Sequence, residues 1–173
     1  MANFTLMGRA AKIADPQRTW MWELSIPNNP INTVQEEDIT LRCKISALPN
    51  RAIEPVETFF LGRKQLFPGR TTFTNNLVLT FEETEDLKIG LWLNAWMEKI
   101  EGLRTGVGDY KDKKDIAVDM HLLMYRTTGE LMRSKIVFYQ AFPIIKEDVT
   151  LDYSSSESVK YAVTFGFDDW MFE

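Results

Sequence analysis

A Ser-His-Asp triad in this 173-residue chain would have to run through its one histidine, His121, and a Cys-His pair through His121 and its one cysteine, Cys43. Asp119 stands two residues before His121, so on an extended strand the carboxylate and the imidazole leave the same face, as in a simple base. No nucleophile motif of the G-x-S-x-G kind accompanies them, and the pair reads more simply as a surface or interface histidine beside an acid. Cys43 falls on the apolar side of an alternating run, where a thiol is buried and inert. A lone cysteine forms no intramolecular disulfide, and one Cys with one His cannot make a structural zinc site. Gly102, Gly106 and Gly108 suggest a phosphate loop, but no strand leads into them, no helix follows at once, and the Gly-Lys-Ser/Thr ending is missing. The carboxylates of Glu82, Glu83, Glu85 and Asp86 fit no calcium loop and suit the start of a helix. The expectation is a protein with no catalytic residue, no cofactor and no metal.

Length argues for one domain, able to bury about 70% of its unfolded surface and so to hold a core without cross-links. Twenty basic against 25 acidic side chains give a net charge of −5, which speaks against a broad phosphate-binding surface. The first residues lack the pattern of a secretion signal, and no stretch approaches the length of a membrane span. A soluble protein of a reducing compartment is expected, in which Asn3-Phe4-Thr5 matches the glycosylation pattern by chance.

The elements follow from periodicity. Residues 1–19 read as an arm. Trp20, Trp22, Leu24 and Ile26 alternate as a half-buried strand, and Ile39, Leu41, Cys43 and Ile45 oppose Thr40, Arg42, Lys44 and Ser46 in what reads as another. Residues 47–71 hold short strands, broken by turn formers, around a long projecting loop. Leu77, Leu79 and Phe81 form the inner side of the next strand. A helix is predicted over 84–102, capped by Thr84, with Ile89, Trp92, Leu93, Trp96, Ile100 and Leu103 toward the core. Leu87 and Leu91 lie on its other side, where a loop or another subunit must cover them. After an exposed loop over 102–115, strands over 118–126 and 131–142 form a hairpin that Pro143 ends. Ile136, Phe138, Gln140 and Phe142 are placed on one face of its second strand. The last strand runs over 157–167. The fold class is mainly β, an antiparallel sandwich or barrel of about seven strands with one flanking helix.

Three groups of residues then carry a family resemblance. Arg42-Cys43-Lys44-Ile45-Ser46-Ala47-Leu48-Pro49 resembles the tail tube proteins of contractile-tailed bacteriophages. Gly62-Arg63-Lys64 and Gly69-Arg70-Thr71-Thr72-Phe73, leading into a strand and a single helix, are similar to that family in order and spacing. So are Phe142-Pro143, Val149-Thr150-Leu151-Asp152-Tyr153 and Val163-Thr164-Phe165-Gly166-Phe167-Asp168-Asp169-Trp170. The likeness spans roughly residues 20–173 and extends to the tubes of R-type pyocins and type VI secretion.

The resemblance implies one tail-tube domain over 1–173, assembling as a homo-oligomer of hexameric rings stacked into a hollow tube. DNA would pass through the lumen without specific binding. The implied partners are the tail sheath protein, baseplate tube proteins, a tape-measure protein and a tail terminator, with no membrane. The implied location is the virion tail, assembled in the host bacterial cytoplasm. By position, Leu48, Pro49, Gly62, Arg63, Gly69 and Arg70 would contact the next ring. Strands near 39–46, 56–61, 118–126 and 131–142 are expected to line the lumen, with Thr40, Arg42, Lys44, Asp119, His121, Arg133 and Lys135 on that face. Tubes of the family tend to have an acidic lumen, so these bases stand out; they would pair with carboxylates across subunit boundaries, or the face is the other one. A baseplate tube-initiator of the same fold is the alternative, and a small β-barrel enzyme or ligand-binding protein a remote one.

Overall fold

The computed structural model describes residues 16–132, 134–154 and 156–173. Strand β1 (Trp22–Ser25) precedes helix α1 (Glu36–Arg42), which runs directly into β2 (Cys43–Ser46). A hairpin of β3 (Ala52–Phe60) and β4 (Arg63–Thr72) follows, then β5 (Asn76–Glu82) and helix α2 (Lys88–Ile100). The chain ends with β6 (Val118–Met124), β7 (Ile136–Lys146), β8 (Lys160–Gly166) and β9 (Asp169–Phe172). All pairings are antiparallel. Among the described residues the main sheet is seven-stranded in the order β1-β6-β7-β8-β5-β2, with β9 also on β7, while β3 and β4 pair only with each other.

The core forms because inward residues of both halves of this sheet meet α2. Leu24, Met120, Leu122, Ile136 and Phe138 come from one half, and Leu77, Leu79, Phe81, Val163 and Phe165 from the other. Trp92 and Trp96 of α2 join them, Trp92 5.8 Å edge-on to Phe81 and Trp96 5.8 Å from Phe165. Their indole N–H groups donate to Asn29 Oδ1 at 2.9 Å and to the Ile116 carbonyl at 2.7 Å, so neither large side chain is buried with an unmade hydrogen bond.

Strand β7 connects the halves. Its first part pairs with β6 and β9 and its second with β8. Between Phe138 and Ala141 it carries one residue more than β6 does, and Gln140 takes up the excess with φ 55°. Asp119 on β6 fixes this bulge by accepting the Gln140 N–H at 3.0 Å. The extra residue reverses the alternation, so Ala141 is buried where Gln140 and Phe142 were expected to be. Pro143 does not end the strand, which continues to Lys146. The proline sits at a second irregularity against β8, where its missing N–H costs no regular ladder bond.

The run over 39–46 is half helix. Ile39 and Cys43, both buried, are four apart and share a helical face as readily as an extended one, whereas Leu41 is 71% exposed. Glu36, Glu37 and Asp38 in the first turn and Arg42 in the last favour the helix dipole. Thr40 and Arg42 are therefore not on a strand face. Thr40 Oγ1 donates to the Leu24 carbonyl at 2.7 Å, which places α1 over the edge of β1.

Helix α2 is shorter than predicted, Lys88–Ile100, because Leu87 takes a left-handed conformation, φ 54°, immediately before it. Thr84 still accepts the Lys88 N–H, at 3.1 Å, but the main cap is Glu83. Its buried carboxylate accepts the N–H groups of Thr84, Ile89 and Gly90 at 2.8, 3.0 and 2.7 Å. Leu103 lies outside the stripe and is exposed. A Cβ on Gly90 would stand 2.8 Å from Glu83 Oε2 and 2.9 Å from the Tyr161 hydroxyl. Gly90→Ala is therefore expected to lower stability by about 1–3 kcal/mol despite the better helix propensity of alanine. Urea denaturation measures this, and an unchanged midpoint would show that the cap yields freely.

Candidate assembly interface

Residues 47–71, read from sequence as short strands around a loop, contain a regular hairpin. Leu61 and Gly62 both have positive φ, 48° and 75°, the combination a two-residue hairpin turn requires. A Cβ on Gly69 would run into the Glu54 carbonyl, so that glycine lets the strands close at the irregular step between Ile53 and Pro55. Gly62 and Gly69 thus shape the hairpin. Arg63 and Arg70 are exposed upon it, with Lys64 paired to Glu57. Asn50 anchors the base by accepting from the N–H and hydroxyl of Thr74 at 3.1 and 3.0 Å.

None of the hairpin's apolar side chains belongs to the core. Ile53, Val56, Phe59, Phe60, Leu66 and Phe67 are exposed, and Leu61 at the tip is 88% exposed. An isolated two-stranded hairpin is at best marginally stable in water, and an apolar surface of this extent is a contact waiting for a partner. Leu48 and Pro49 lie below the base rather than on the hairpin. Leu48 lines a cavity of about 330 Å3 with Met21, Trp22, Leu122, Met124 and Ser46. Ser46 Oγ is buried there without a hydrogen-bond partner among the described residues. Leu87 and Leu91 of α2 are also exposed.

A second surface is the outward face of β1, β6, β7 and β9. Register puts Ser25, His121, Val137 and Met171 in one row across it. Strand alternation adds Glu23, Asp119, Asp169 and Glu173 to the same face, with Lys135 as the basic member. Lys135 pairs with Glu173 of its own chain at 3.0 Å. The Tyr125 hydroxyl donates to Glu23 and that of Tyr139 to Glu173, each at 2.5 Å. The Tyr139 bond holds the Glu173 carboxyl below its usual range, helped by Lys135, and pushes the tyrosine up to about 12. Partial burial, then Lys135, lowers the pKa of His121, favouring the neutral imidazole.

Of the four segments expected to line the lumen, three contribute strands to the main sheet, but not all as neighbours. Strands β6 and β7 pair, β2 lies beside β5, and the 56–61 segment belongs to the hairpin. Lys44 is on β2 and bonds Glu82 of the same chain at 3.5 Å. Arg42 is in α1, and Arg133 lies outside the described residues, as do residues 1–15 of the arm. Asp119 and His121 do share a face, but Asp119 bonds the Gln140 backbone. Asp119→Ala is expected to cost about 1–3 kcal/mol by orphaning that N–H, while Asp119→Asn, which keeps an acceptor, costs less. Equal losses in thermal denaturation would contradict the assignment. Burial pushes the Cys43 thiol up to about 12. Among the described residues no group of His, Cys, Asp and Glu is placed to hold a metal ion, and no helix is long and apolar enough to cross a membrane.

An antiparallel β domain with a detached apolar hairpin and an acidic open sheet face has the features of an assembly subunit. The chain belongs to the phage tail tube protein family, whose model matches residues 12–173. Solved structures similar in fold come from contractile injection machines. A chain of the anti-feeding prophage baseplate, six-fold symmetrised, has a TM-score of 0.64 at 11% identity, over 93% of this chain and 97% of that one. One from the sheath/tube terminator of an extracellular contractile injection system, PVC, in the extended state has a TM-score of 0.65 at 14% identity, over 93% and 99%. One from the PVC sheath-tube complex has 0.62 at 14% identity, over 95% and 96%. No curated protein sequence matches the chain.

Proposed function

We propose that the chain is the tube subunit of a contractile phage tail: a structural, non-catalytic protein whose copies form hexameric rings that stack into a hollow inner tube for DNA. The observation that carries this reading is the β3–β4 hairpin, whose apolar side chains are exposed and outside the core among the described residues, and so suit burial against another subunit. The outward face of β1-β6-β7-β9 would line the lumen. Its excess of Glu23, Asp119, Asp169 and Glu173 over Lys135 suits a conduit from which DNA must slide away, since like charges repel. Sheath, terminator, baseplate and tape-measure proteins would be the partners, and the virion tail the location.

A second reading, a tube-fold protein used in a single ring at the baseplate or tail end, draws support from the baseplate and terminator chains among the similar folds. Electron microscopy of the purified protein, with light scattering on the same sample, separates the two. Stacked rings or long tubes are expected. Rings that do not stack would favour the second reading, and a persistent monomer would count against both unless a baseplate seed started growth.

A further inference from the structure

The hairpin and the segment after β7 stand at opposite ends of the same half-sheet. The hairpin leaves from the end of β2 and returns to the start of β5 at Asn76. The loop from Glu147 to Val159 joins β7 to β8, and Lys160, where β8 begins, is opposite Glu82, the last residue of β5. The seven residues of β5 separate the two by roughly 20 Å. A projection at one end and a receiving surface at the other make a head-to-tail contact, repeatable from copy to copy without exhausting itself.

The chemistry of the two ends is complementary. On the hairpin and its base, Arg51, Arg63, Lys64 and Arg70 outnumber Glu54 and Glu57. The loop carries Glu147, Asp148, Asp152 and Glu157 and has no basic residue before Lys160. The loop also encloses a groove of about 590 Å3, lined by Val149, Leu151, Asp152, Tyr153 and Val159 among others. Leu151 is 79% exposed and Tyr153 wholly so, matching Phe59, Phe60 and Leu61 on the hairpin. Both sides therefore offer apolar area framed by opposite charge, the arrangement that fixes the register of an interface. We propose that the β3–β4 hairpin of one copy docks on the Glu147–Val159 loop of the next copy along the tube. This deepens the tube-subunit reading and rests on it.

Cysteine cross-linking tests the contact in assembled tubes. Cys43 is buried and its thiol is held protonated, so it does not compete. Leu61 and Leu151 are exposed, and Leu61→Cys with Leu151→Cys in one chain leaves the core intact. Mild oxidation of tubes of this double variant is expected to give a ladder of covalent multimers that neither single variant gives. Tubes without a ladder overturn the docking and leave the tube reading standing, whereas wild-type protein that never assembles, even from a baseplate seed, removes the tube reading itself. Should the double variant fail to form tubes, charge reversal decides. Arg63→Glu with Arg70→Glu, and separately Asp148→Lys with Asp152→Lys, are each expected to abolish stacking, and the four together to restore it. Stacking that survives either reversal, or is not restored by the combination, overturns the docking.

Discussion

Replacing Phe59, Phe60 and Leu61 by serine will leave the chain folded and stop it forming tubes. None of the three touches the core, so their loss removes nothing that holds the sandwich together, and the melting temperature should move by no more than a few degrees. Assembly is different. Fully burying side chains of this size contributes roughly 1.5–3 kcal/mol each, so losing all three weakens each subunit contact by about 5 kcal/mol or more. That corresponds to more than a thousandfold in association constant. A stacked tube repeats the contact at every subunit, so the loss compounds. Sedimentation and electron microscopy of the triple variant read the result, with circular dichroism as the folding control. Normal tubes would mean that the hairpin is not the contact it is taken to be, and loss of folded signal would mean that it supports the monomer.

The second large effect is on stability. Trp96→Ala should leave the chain unable to hold its fold at ordinary temperatures. Trp96 is fully buried against Trp92 and Phe165, and its indole N–H satisfies the Ile116 carbonyl at 2.7 Å. Removing a buried tryptophan costs about 3–5 kcal/mol, and the orphaned carbonyl about 1–3 more. Against a total stability of about 5–15 kcal/mol, that is enough to unfold a marginal domain. Trp96→Phe keeps most of the packing and loses mainly the hydrogen bond, so it should fold with a lower urea midpoint. Equal behaviour of the two variants would contradict this account of the core.

The sequence carried most of the architecture because alternation reports burial directly wherever a strand has one wet face. Leu77, Leu79 and Phe81, or Val163, Phe165 and Phe167, are buried as their spacing predicts. Trp92 and Trp96 follow from helical spacing in the same way. The misreadings have a common cause, which is that periodicity is blind where two patterns coincide or one residue is inserted. Ile39 and Cys43 satisfy a period of two and a spacing of four equally well, and the acids at 36–38 were the signal that favours helix. The bulge at Gln140 shifts the residues that follow it, up to the second irregularity after Pro143, to the other face, and its determinant, Asp119, is distant in sequence.

The candidate site was legible in part. The resemblance pointed to the segment over 47–71, but its spacing did not reveal a continuous hairpin, because Pro55, Pro68 and Gly69 look like breaks. In an edge hairpin with no third strand they cost few ladder bonds. Arg42 and Lys44, expected on the same face as His121, lie instead in α1 and on β2 at the far edge of the main sheet, because the run over 39–46 reads equally well as helix or strand. Glu83, which caps α2 from inside the core, passed as one acid among several. Nothing local distinguishes a carboxylate that folds inward to meet Ile89 and Gly90 from its exposed neighbours.

A cryo-electron microscopy reconstruction of the assembled protein tests the central claim most directly. The account predicts a hollow tube of stacked rings, with Glu23, Asp119, Asp169 and Glu173 facing the lumen and the β3–β4 hairpin buried between successive rings. A tube with that sheet face on its outer surface, or with the hairpin still exposed to solvent, would contradict it.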